Sequence, residues 1–398
     1  MLLAVFGCLS AHAADLVVPV GESLNQSIAQ ARPGDRLILS PGRYRGPVVV
    51  DRALELVGQS GVIIDGGGRG TVIRIEAPDV VIRGLRIVGS GRDLSVEDSG
   101  IFVTEAGDRA NILDNQLENN LIGVYLSGPE NAEVRRNNIT GFADGHLNDR
   151  GNGVQLWNTP GSIVSDNTIR LGRDGIFVTS SKENRFLNNT FRDLRIAVHY
   201  MYTNNSEISG NLSVGNHVGY ALMYSTRLIV KNNHSIGDRD HGILLNYANY
   251  SEIERNLVYE GKTKCVFIYN SNFNAFRENY FGNCSIGVHF TAGSESNVIV
   301  GNTFTGNRTQ VKYVGTRWLT WSDGGVGNYW SDHTAFDLDG NGVADAAYRP
   351  NDLVDQVLAT PAWDRPSHHW YHLDPLWDPL RDHPGFQALL EKYGQEAS

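Results

Sequence analysis

Two methionines and one histidine have the types and the spacing that metal chemistry requires. Met201 and Met223 are, apart from Met1, the only methionines in a chain of 398 residues, and one period of a sequence repeat separates them. His199 precedes Met201 by two positions, so the two side chains share a face if this segment is a β-strand. Thioether and imidazole ligands suit Cu(I), a soft ion that such a site would bind transiently. The alternative is that both methionines pack in an apolar contact surface.

Near the C-terminal end, a second group of side chains has the spacing of a cation site. Asp337, Asp339, Asn341 and Asp345 occupy positions 1, 3, 5 and 9 of a calcium-loop pattern, with glycine at position 6. Position 12 is Tyr348 rather than glutamate, so the bidentate ligand of that pattern is absent. Calcium binding therefore stands beside the alternative of an Asp/Gly-rich turn that needs no metal.

An internal repeat predicts the element that positions these side chains. Nine segments begin with a small residue followed by alternating apolar residues, and they start at Gly100, Gly123, Gly153, Gly175, Ala197, Gly219, Gly242, Cys265 and Gly287. Asparagines recur in phase with them, namely Asn115, Asn137, Asn167, Asn189, Asn211, Asn233, Asn256, Asn279 and Asn302. A period of about 22 to 23 residues, with two or three short strands per repeat, predicts an all-β fold, a single-stranded right-handed parallel β-helix of the pectin-lyase-like class.

Stacking of the coils follows from their size, because one coil cannot bury its own apolar side. Stacked coils lie about 4.8 Å apart, so Met201 and Met223, at the same position of successive coils, are expected to be neighbours. The in-phase asparagines predict a ladder in which each side-chain amide bonds the next coil and satisfies turn backbone. We therefore interpret these asparagines as structural.

Alternate residues of each predicted strand face outward. The eighteen outward positions of the nine repeats contain no Asp, Glu, Lys or Arg. Glycosidases need paired carboxylates, and lyases need a base and cationic groups, so this face argues against an enzyme. Aromatic residues on it and an insertion at residues 141–150 predict a docking face for a protein partner, formed by Tyr125, Trp157, Phe177, Phe267, Tyr269 and His146. The alternatives are a loop that covers this face and a carbohydrate-binding or polysaccharide-modifying protein.

The chain divides into five predicted segments. They are a signal peptide (1–14), an N-terminal cap helix with the first strands (15–45), the parallel β-helix (46–332), an Asp/Gly-rich closing segment (333–358) and an atypical tail (359–398). The signal peptide is predicted from a short apolar run and an Ala-x-Ala pattern, which implies export. The cap helix is expected from Glu22 to Ala31. An aromatic group is expected to cover the last coil, namely Trp318, Trp321, Tyr329 and Trp330.

Composition narrows the function further. The net charge is −10 with no Lys/Arg block, which argues against a nucleic-acid partner. Three cysteines are too few for a disulfide-dense scaffold. Cys265 opens a strand and Cys284 lies three positions before the next one, an offset that predicts two free thiols.

The closing strings resemble one family closely. GNYWSD at 327–332, DLDGNG at 337–342 and YRPND at 348–352, after an Asn-laddered β-helix and a signal peptide, resemble the NosD family of periplasmic maturation factors for nitrous oxide reductase. The resemblance covers roughly residues 15–358. It implies a non-catalytic periplasmic protein that docks on an ABC-type ATPase and membrane permease. It also implies copper received from a copper-chaperone lipoprotein and presented to nitrous oxide reductase, with sulfur as the other cargo left open.

The tail after about residue 359 departs from this family. It resembles the end of unrelated helical-repeat regulatory proteins, which a frameshift or a joined reading frame would explain. We expect a helix from Pro384 to Lys392 with no specific role.

Overall fold

Three parallel sheets form the protein, and they confirm the predicted parallel β-helix. The computed structural model describes residues 13–313 and 319–349. The chain has two compact units, one ending at Glu207 and the other beginning at Ile208. In both units successive strands enter sheet 1, sheet 2 and sheet 3 in turn, so each coil adds one strand to each sheet.

The first unit contains the N-terminal helix Leu24–Gln30 and a 3-10 turn, Leu147–Asp149. Its sheet 1 strands are Asp15–Val18, Arg36–Leu39, Glu55–Gly58, Val81–Arg83, Asn111–Leu113, Glu133–Arg135, Ile163–Ser165 and Arg185–Leu187. Its sheet 2 strands are Gly42–Arg45, Val62–Asp65, Arg86–Val88, Gln116–Glu118, Asn138–Thr140, Thr168–Arg170 and Thr190–Arg192. Its sheet 3 strands are Val48–Val50, Ile73–Ile75, Ser99–Val103, Ile122–Ser127, Val154–Trp157, Asp174–Thr179 and Ile196–Met201.

The strand Glu207–Ser209 contains the division, and the second unit continues the same order of sheets. Its sheet 1 strands are Ile229–Lys231, Glu252–Glu254, Ala275–Arg277 and Val298–Val300. Its sheet 2 strands are Leu212–Val214, His234–Ile236, Leu257–Tyr259, Tyr280–Gly282, Thr303–Thr305 and Tyr329–Trp330. Its sheet 3 strands are Val218–Met223, His241–Asn246, Lys264–Tyr269, Ile286–Phe290 and Thr309–Tyr313.

Period-two alternation places the apolar residues inside each coil. In the strand Ser99–Val103, Ile101 and Val103 are fully buried while Phe102 between them is half-buried. The same alternation recurs in the strand Asp174–Thr179. In these two strands the outward positions predicted for sheet 3 are therefore the ones that alternate with the buried residues.

The asparagine ladder is confirmed in both units. In the first, Asn137 Nδ2 donates to Ile112 O at 2.8 Å and to Asn167 Oδ1 at 3.0 Å. In the second, Asn302 Nδ2 donates to Asn328 Oδ1 at 3.0 Å. Asn328 belongs to the closing string at 327–332, so part of that string is the last rung of the ladder. The buried turn backbone is satisfied by these amides, as their in-phase spacing predicts.

A short helix lies near the N-terminal end of the described chain, and a group of aromatic rings lies near the C-terminal end. The helix Leu24–Gln30 buries Leu24 and Ile28, and Ser23 caps its N-terminus by accepting from Gln26 N. At the other end Trp330 stacks between Phe304 at 4.4 Å and Tyr348 at 4.5 Å. Trp330 is only 4% exposed, so this stack of rings buries it.

Cys265 and Cys284 form a disulfide, so the prediction of two free thiols is wrong. Their Cα atoms lie 5.7 Å apart. The prediction took the offset of Cys284 from the strand start, together with the height of one coil, to exceed the reach of a disulfide. The chain instead bends at Asn283, whose φ is 53°, and this bend places Cys284 inward, beneath the surface, where it meets Cys265 of the preceding coil.

Some predicted features lie outside the described residues. They are positions 1–12 of the signal peptide, Trp318, the closing segment from 350 onward and the whole tail from 359. Within the described ranges, no helix is long and apolar enough to cross a membrane.

Candidate functional site

His199 and Met201 lie on the outer side of the strand Ile196–Met201 in sheet 3 of the first unit. Both side chains are half-buried, while Tyr200 between them is fully buried. Register places Phe177 beside His199 and Thr179 beside Met201. The two rings of the first pair lie 5.1 Å apart. An imidazole and a thioether therefore share one rigid surface, as predicted.

Asp174 holds this histidine from the preceding coil. It begins the strand Asp174–Thr179, and its side chain is fully buried. Its Oδ2 lies 3.0 Å from His199 Nδ1. Arg195 donates from Nε to Oδ1 at 2.8 Å and from Nη2 to Oδ2 at 2.6 Å. A bidentate guanidinium and an imidazole thus compensate the buried carboxylate.

The ionisation of Asp174 decides which nitrogen of His199 is available. Burial raises the pKa of Asp174, but hydrogen bonds from His199 and Arg195 outweigh it, and the pKa lies below its usual value. An ionised carboxylate only accepts, so His199 Nδ1 is assigned a proton, and in the neutral form of the ring Nε2 is the nitrogen that carries the lone pair. Nε2 is buried and has no hydrogen-bond partner within the described ranges. A metal-ligating histidine usually donates its other ring N–H to a carboxylate or carbonyl in the same way.

Met223, the third predicted copper ligand, belongs to the second unit. It is the half-buried last residue of the strand Val218–Met223, and register pairs it with Asn246. Its place in a ligand set with His199 stays a prediction.

Tyr125 is not exposed, contrary to prediction. It is 4% exposed and packs with Leu121 and Ile122, and Phe142 of the 141–150 insertion packs against this cluster. Arg92, whose Cζ lies 3.8 Å from the ring centroid of Phe142, helps to hold the insertion in place. The loop-covered face that the sequence left open is therefore present at this position.

The other predicted docking residues remain accessible. In the first unit Trp157 is 47% exposed, Phe177 is half-buried, and His146 is exposed on the insertion. In the second unit Tyr269 is 40% exposed and Phe267 is half-buried. Each unit therefore offers its own accessible aromatic surface on sheet 3.

The Asp/Gly loop uses its carboxylates internally. Asp337 Oδ1 accepts from Gly340 N at 2.7 Å, and its Oδ2 accepts from Gly342 N at 2.8 Å. Asp339 Oδ1 accepts from Asn341 N at 3.1 Å, and Asp345 Oδ2 accepts from Leu338 N at 2.8 Å. Hydrogen bonds led by the one from Gly342 lower the pKa of Asp337. This geometry matches the metal-free turn, and calcium gains no support from it.

No cluster of three or more His, Cys, Asp or Glu side chains within residues 13–313 and 319–349 has a metal-holding arrangement. A histidine–thioether pair is a different donor set, one that Cu(I) accepts.

Sequence reasoning missed Asp174 and Arg195. It searched for acids and bases at the outward positions of the repeated segments, whereas Asp174 directly precedes the small residue that starts one of them. Register pairs Asp174 with Ile196, so an apolar residue occupies that position in the next coil. Asp174 is the single acid among the nine residues that directly precede the repeated segments, and a histidine follows in the next segment, which was the available signal.

Comparisons with known proteins agree with the closing strings. Residues 136–335 match the family described as "Periplasmic copper-binding protein (NosD)". A protein of Stutzerimonas stutzeri named "Probable ABC transporter binding protein NosD" is 39% identical over 338 residues, covering 81% of this chain and 78% of that protein. A Pseudomonas aeruginosa protein with the same name is 41% identical over 336 residues, with 81% and 78% covered.

The fold is also found among solved structures. The Yersinia enterocolitica family 28 exopolygalacturonase matches with a TM-score of 0.61 and 12% identity, covering 78% of each chain. At this identity the likeness extends to the fold alone.

Proposed function

This chain belongs to the NosD family, and we propose that it receives Cu(I) in the periplasm and presents it for assembly of the copper centres of nitrous oxide reductase. In this proposal residues 1–14 are the export signal, a copper-chaperone lipoprotein delivers the metal, and an ABC ATPase with its membrane permease controls the exchange. Sulfur in place of copper is the alternative cargo. The observation that carries the proposal is the unbonded Nε2 of His199 beside Met201.

The donor set fits Cu(I) chemically. Asp174 fixes the ring of His199 and presents Nε2 as the ligand atom, and Met201 adds a polarisable sulfur on the same strand. Alternate residues of a strand lie about 7 Å apart, a separation that the flexible methionine side chain can reduce. The pair contains no thiolate, so copper would be bound loosely enough to be passed on.

Arg195 holds Asp174 in place and so supports the orientation of the His199 ring. Its two hydrogen bonds keep Asp174 ionised and in place, so the acceptor for His199 Nδ1 is permanent. Asp174 and Arg195 are therefore positioning residues, and His199 and Met201 are the proposed ligands.

Titration with Cu(I) against a competing chromophoric chelator tests this site. We expect His199→Gln and Met201→Leu each to weaken Cu(I) binding, and Asp174→Asn to weaken it by about 10–100-fold. His217→Gln is the matched control, because His217 is exposed in the second unit. Met223→Leu, in a separate arm, tests whether the third predicted ligand contributes. Equal competition by the wild type and the His199→Gln variant would show that copper binds elsewhere.

A docking face for the copper donor completes the proposal. Trp157 and Phe177 are accessible on the outer side of sheet 3, and the insertion with His146 borders this unit's outer surface. We expect Trp157→Ala/Phe177→Ala to weaken pull-down of the lipoprotein while the thermal melt stays nearly unchanged, because outward side chains add little to the core. Undiminished pull-down would exclude this face.

A polysaccharide-modifying activity is less well supported by the site. Asp174 is the carboxylate that contacts His199, and it is fully buried with both oxygens occupied by Arg195 and the imidazole. It therefore has no exposed lone pair to serve as a base toward a sugar.

A further inference from the structure

The second unit carries a row of aromatic rings that its fold does not require. Rings touch in the order His289, Phe267, Tyr269, Tyr247 and Tyr224, with centroids 5.0, 6.4, 5.9 and 5.2 Å apart. The three tyrosines are 40%, 42% and 40% exposed. We call these five residues the aromatic row. A contiguous exposed apolar surface of this kind usually marks an interaction site.

Two of these tyrosines occupy positions that disfavour a bulky residue. Tyr224 and Tyr247 have φ of 49° and 52°, in the left-handed region that favours glycine or asparagine. The equivalent position of the following coil holds Asn270, with φ of 44°. The turn itself therefore does not select tyrosine, and the reason for tyrosine lies in the surface that it forms.

Two lysines make the end of the row at His289 basic. Lys264 Nζ lies 3.9 Å from the ring centroid of Phe267, and Lys312 is exposed and in register with His289. Burial, followed by the charges of Lys264 and Lys312, lowers the pKa of His289 to about 4. The carboxylate of Asp240, which also acts on Lys264, lies 3.3 Å from His241 Nδ1. A locally positive face thus stands on a chain of net charge −10.

We propose that the aromatic row with Lys264 and Lys312 is the docking face for the copper client, which presents an acidic and apolar surface to it. The inference rests on the proposed function and adds to it the surface on which the client docks. Charge complementarity selects an acidic partner. The proposed ligands His199 and Met201 lie in the first unit, so we expect the donor to cover that unit, and the face in the second unit is left for the client.

The arrangement of the rings favours a protein over a polysaccharide. Tyr224 and Tyr247 are stacked face to face with planes 7° apart, and Phe267 has Lys264 over its ring and His289 stacked with it. Each of these rings therefore has at least one face that is in contact with another ring or an ammonium group and cannot stack on a sugar. The exposed edges, hydroxyls and ammonium groups are those that protein interfaces use.

Binding of purified chain to apo-nitrous oxide reductase tests this face, measured by calorimetry at low and at high NaCl. We expect Lys264→Glu/Lys312→Glu to weaken binding by about tenfold or more, because two attractions become repulsions. High NaCl should weaken binding of the wild type but not of this variant. The matched control is Lys231→Glu/Lys262→Glu, which makes the same charge change elsewhere in the second unit. Tyr247→Ser/Tyr269→Ser tests the aromatic part without changing charge.

Each other outcome overturns the inference. Equal loss in both lysine variants would mean that only net charge matters, and no binding by the wild type would mean that this client does not dock. Alginate oligosaccharide bound by the wild type and lost with Lys264→Glu/Lys312→Glu would assign the face to a polysaccharide. Self-association lost in the same variant would assign it to a second copy. Cu(I) titration of the same samples reports on the proposed function separately, since His199 and Met201 lie in the first unit.

Discussion

At the residue scale, buried carboxylates of this protein have opposite environments. Asp174 is held ionised by Arg195 and His199. Asp238 in the second unit is also fully buried, but it accepts from neutral groups, namely Ser213 and Ser235 through Oγ at 2.7 and 2.6 Å and Asn216 N at 2.8 Å. The first is suited to orient a ligand, whereas the second has a cost in stability that depends on pH.

Asp238→Asn should remove one pH dependence of stability. Burial, partly offset by the hydrogen bonds, raises the pKa of Asp238 to about 6 from 3.8. The folded state therefore binds more protons than the unfolded state between these values, and stability falls as pH rises through that window. We expect the wild type to lose about 2 kcal/mol relative to Asp238→Asn between about pH 4 and about pH 7. Urea denaturation across pH measures it, and parallel curves for the two proteins would contradict it.

At the element scale, the asparagine ladder fixes the turns of the β-helix. Asn137 is 2% exposed, its amide donates to Ile112 O and Asn167 Oδ1, and its Oδ1 accepts from Asn115 N at 2.9 Å. Removal of one rung leaves buried donors and acceptors unpaired in the coils on both sides. Each such group costs about 1–3 kcal/mol.

Asn137→Ala should therefore destabilise the protein by about 3 kcal/mol or more, because several buried bonds are lost together. Asn138→Ala is the matched control, since Asn138 is the exposed neighbour on the strand Asn138–Thr140. We expect a change below about 0.5 kcal/mol for the control. Chemical denaturation of both variants gives the difference, and similar midpoints would show that the ladder does not carry this stability.

The coils and the asparagine ladder were predictable from sequence because the residues that form them recur at a constant spacing. Spacing identified the coils, the ladder and the outward faces, and Leu24 with Ile28 identified the buried side of the cap helix. The predictions that were wrong, and the contact that was missed, involve residues at different positions of the sequence repeat. The bend at Asn283 brings Cys284 to Cys265, and the 141–150 insertion covers Tyr125. The partnership of Asp174 with His199 also joins two different positions of successive coils.

At the scale of the whole molecule, the residues that stabilise the β-helix differ from those that form its proposed binding surfaces. The inward side chains of the sheets and the buried asparagines stabilise the fold. The residues on the outer side of sheet 3 can therefore differ from coil to coil. In the first unit that side carries His199 and Met201, and in the second unit it carries the aromatic row with its lysines. Family membership fixes the broad role as periplasmic copper binding, and these surfaces are where the proposed exchange would occur.

The most direct measurement of the central claim is the copper content of nitrous oxide reductase purified from cells whose own copy of this protein is deleted and replaced by a variant. The wild type and the His217→Gln control should restore a copper-loaded, active reductase. His199→Gln/Met201→Leu should leave the reductase copper-poor although the variant accumulates in the periplasm at the wild-type level, because the two proposed ligands are gone. Full copper loading with that double variant would contradict the account.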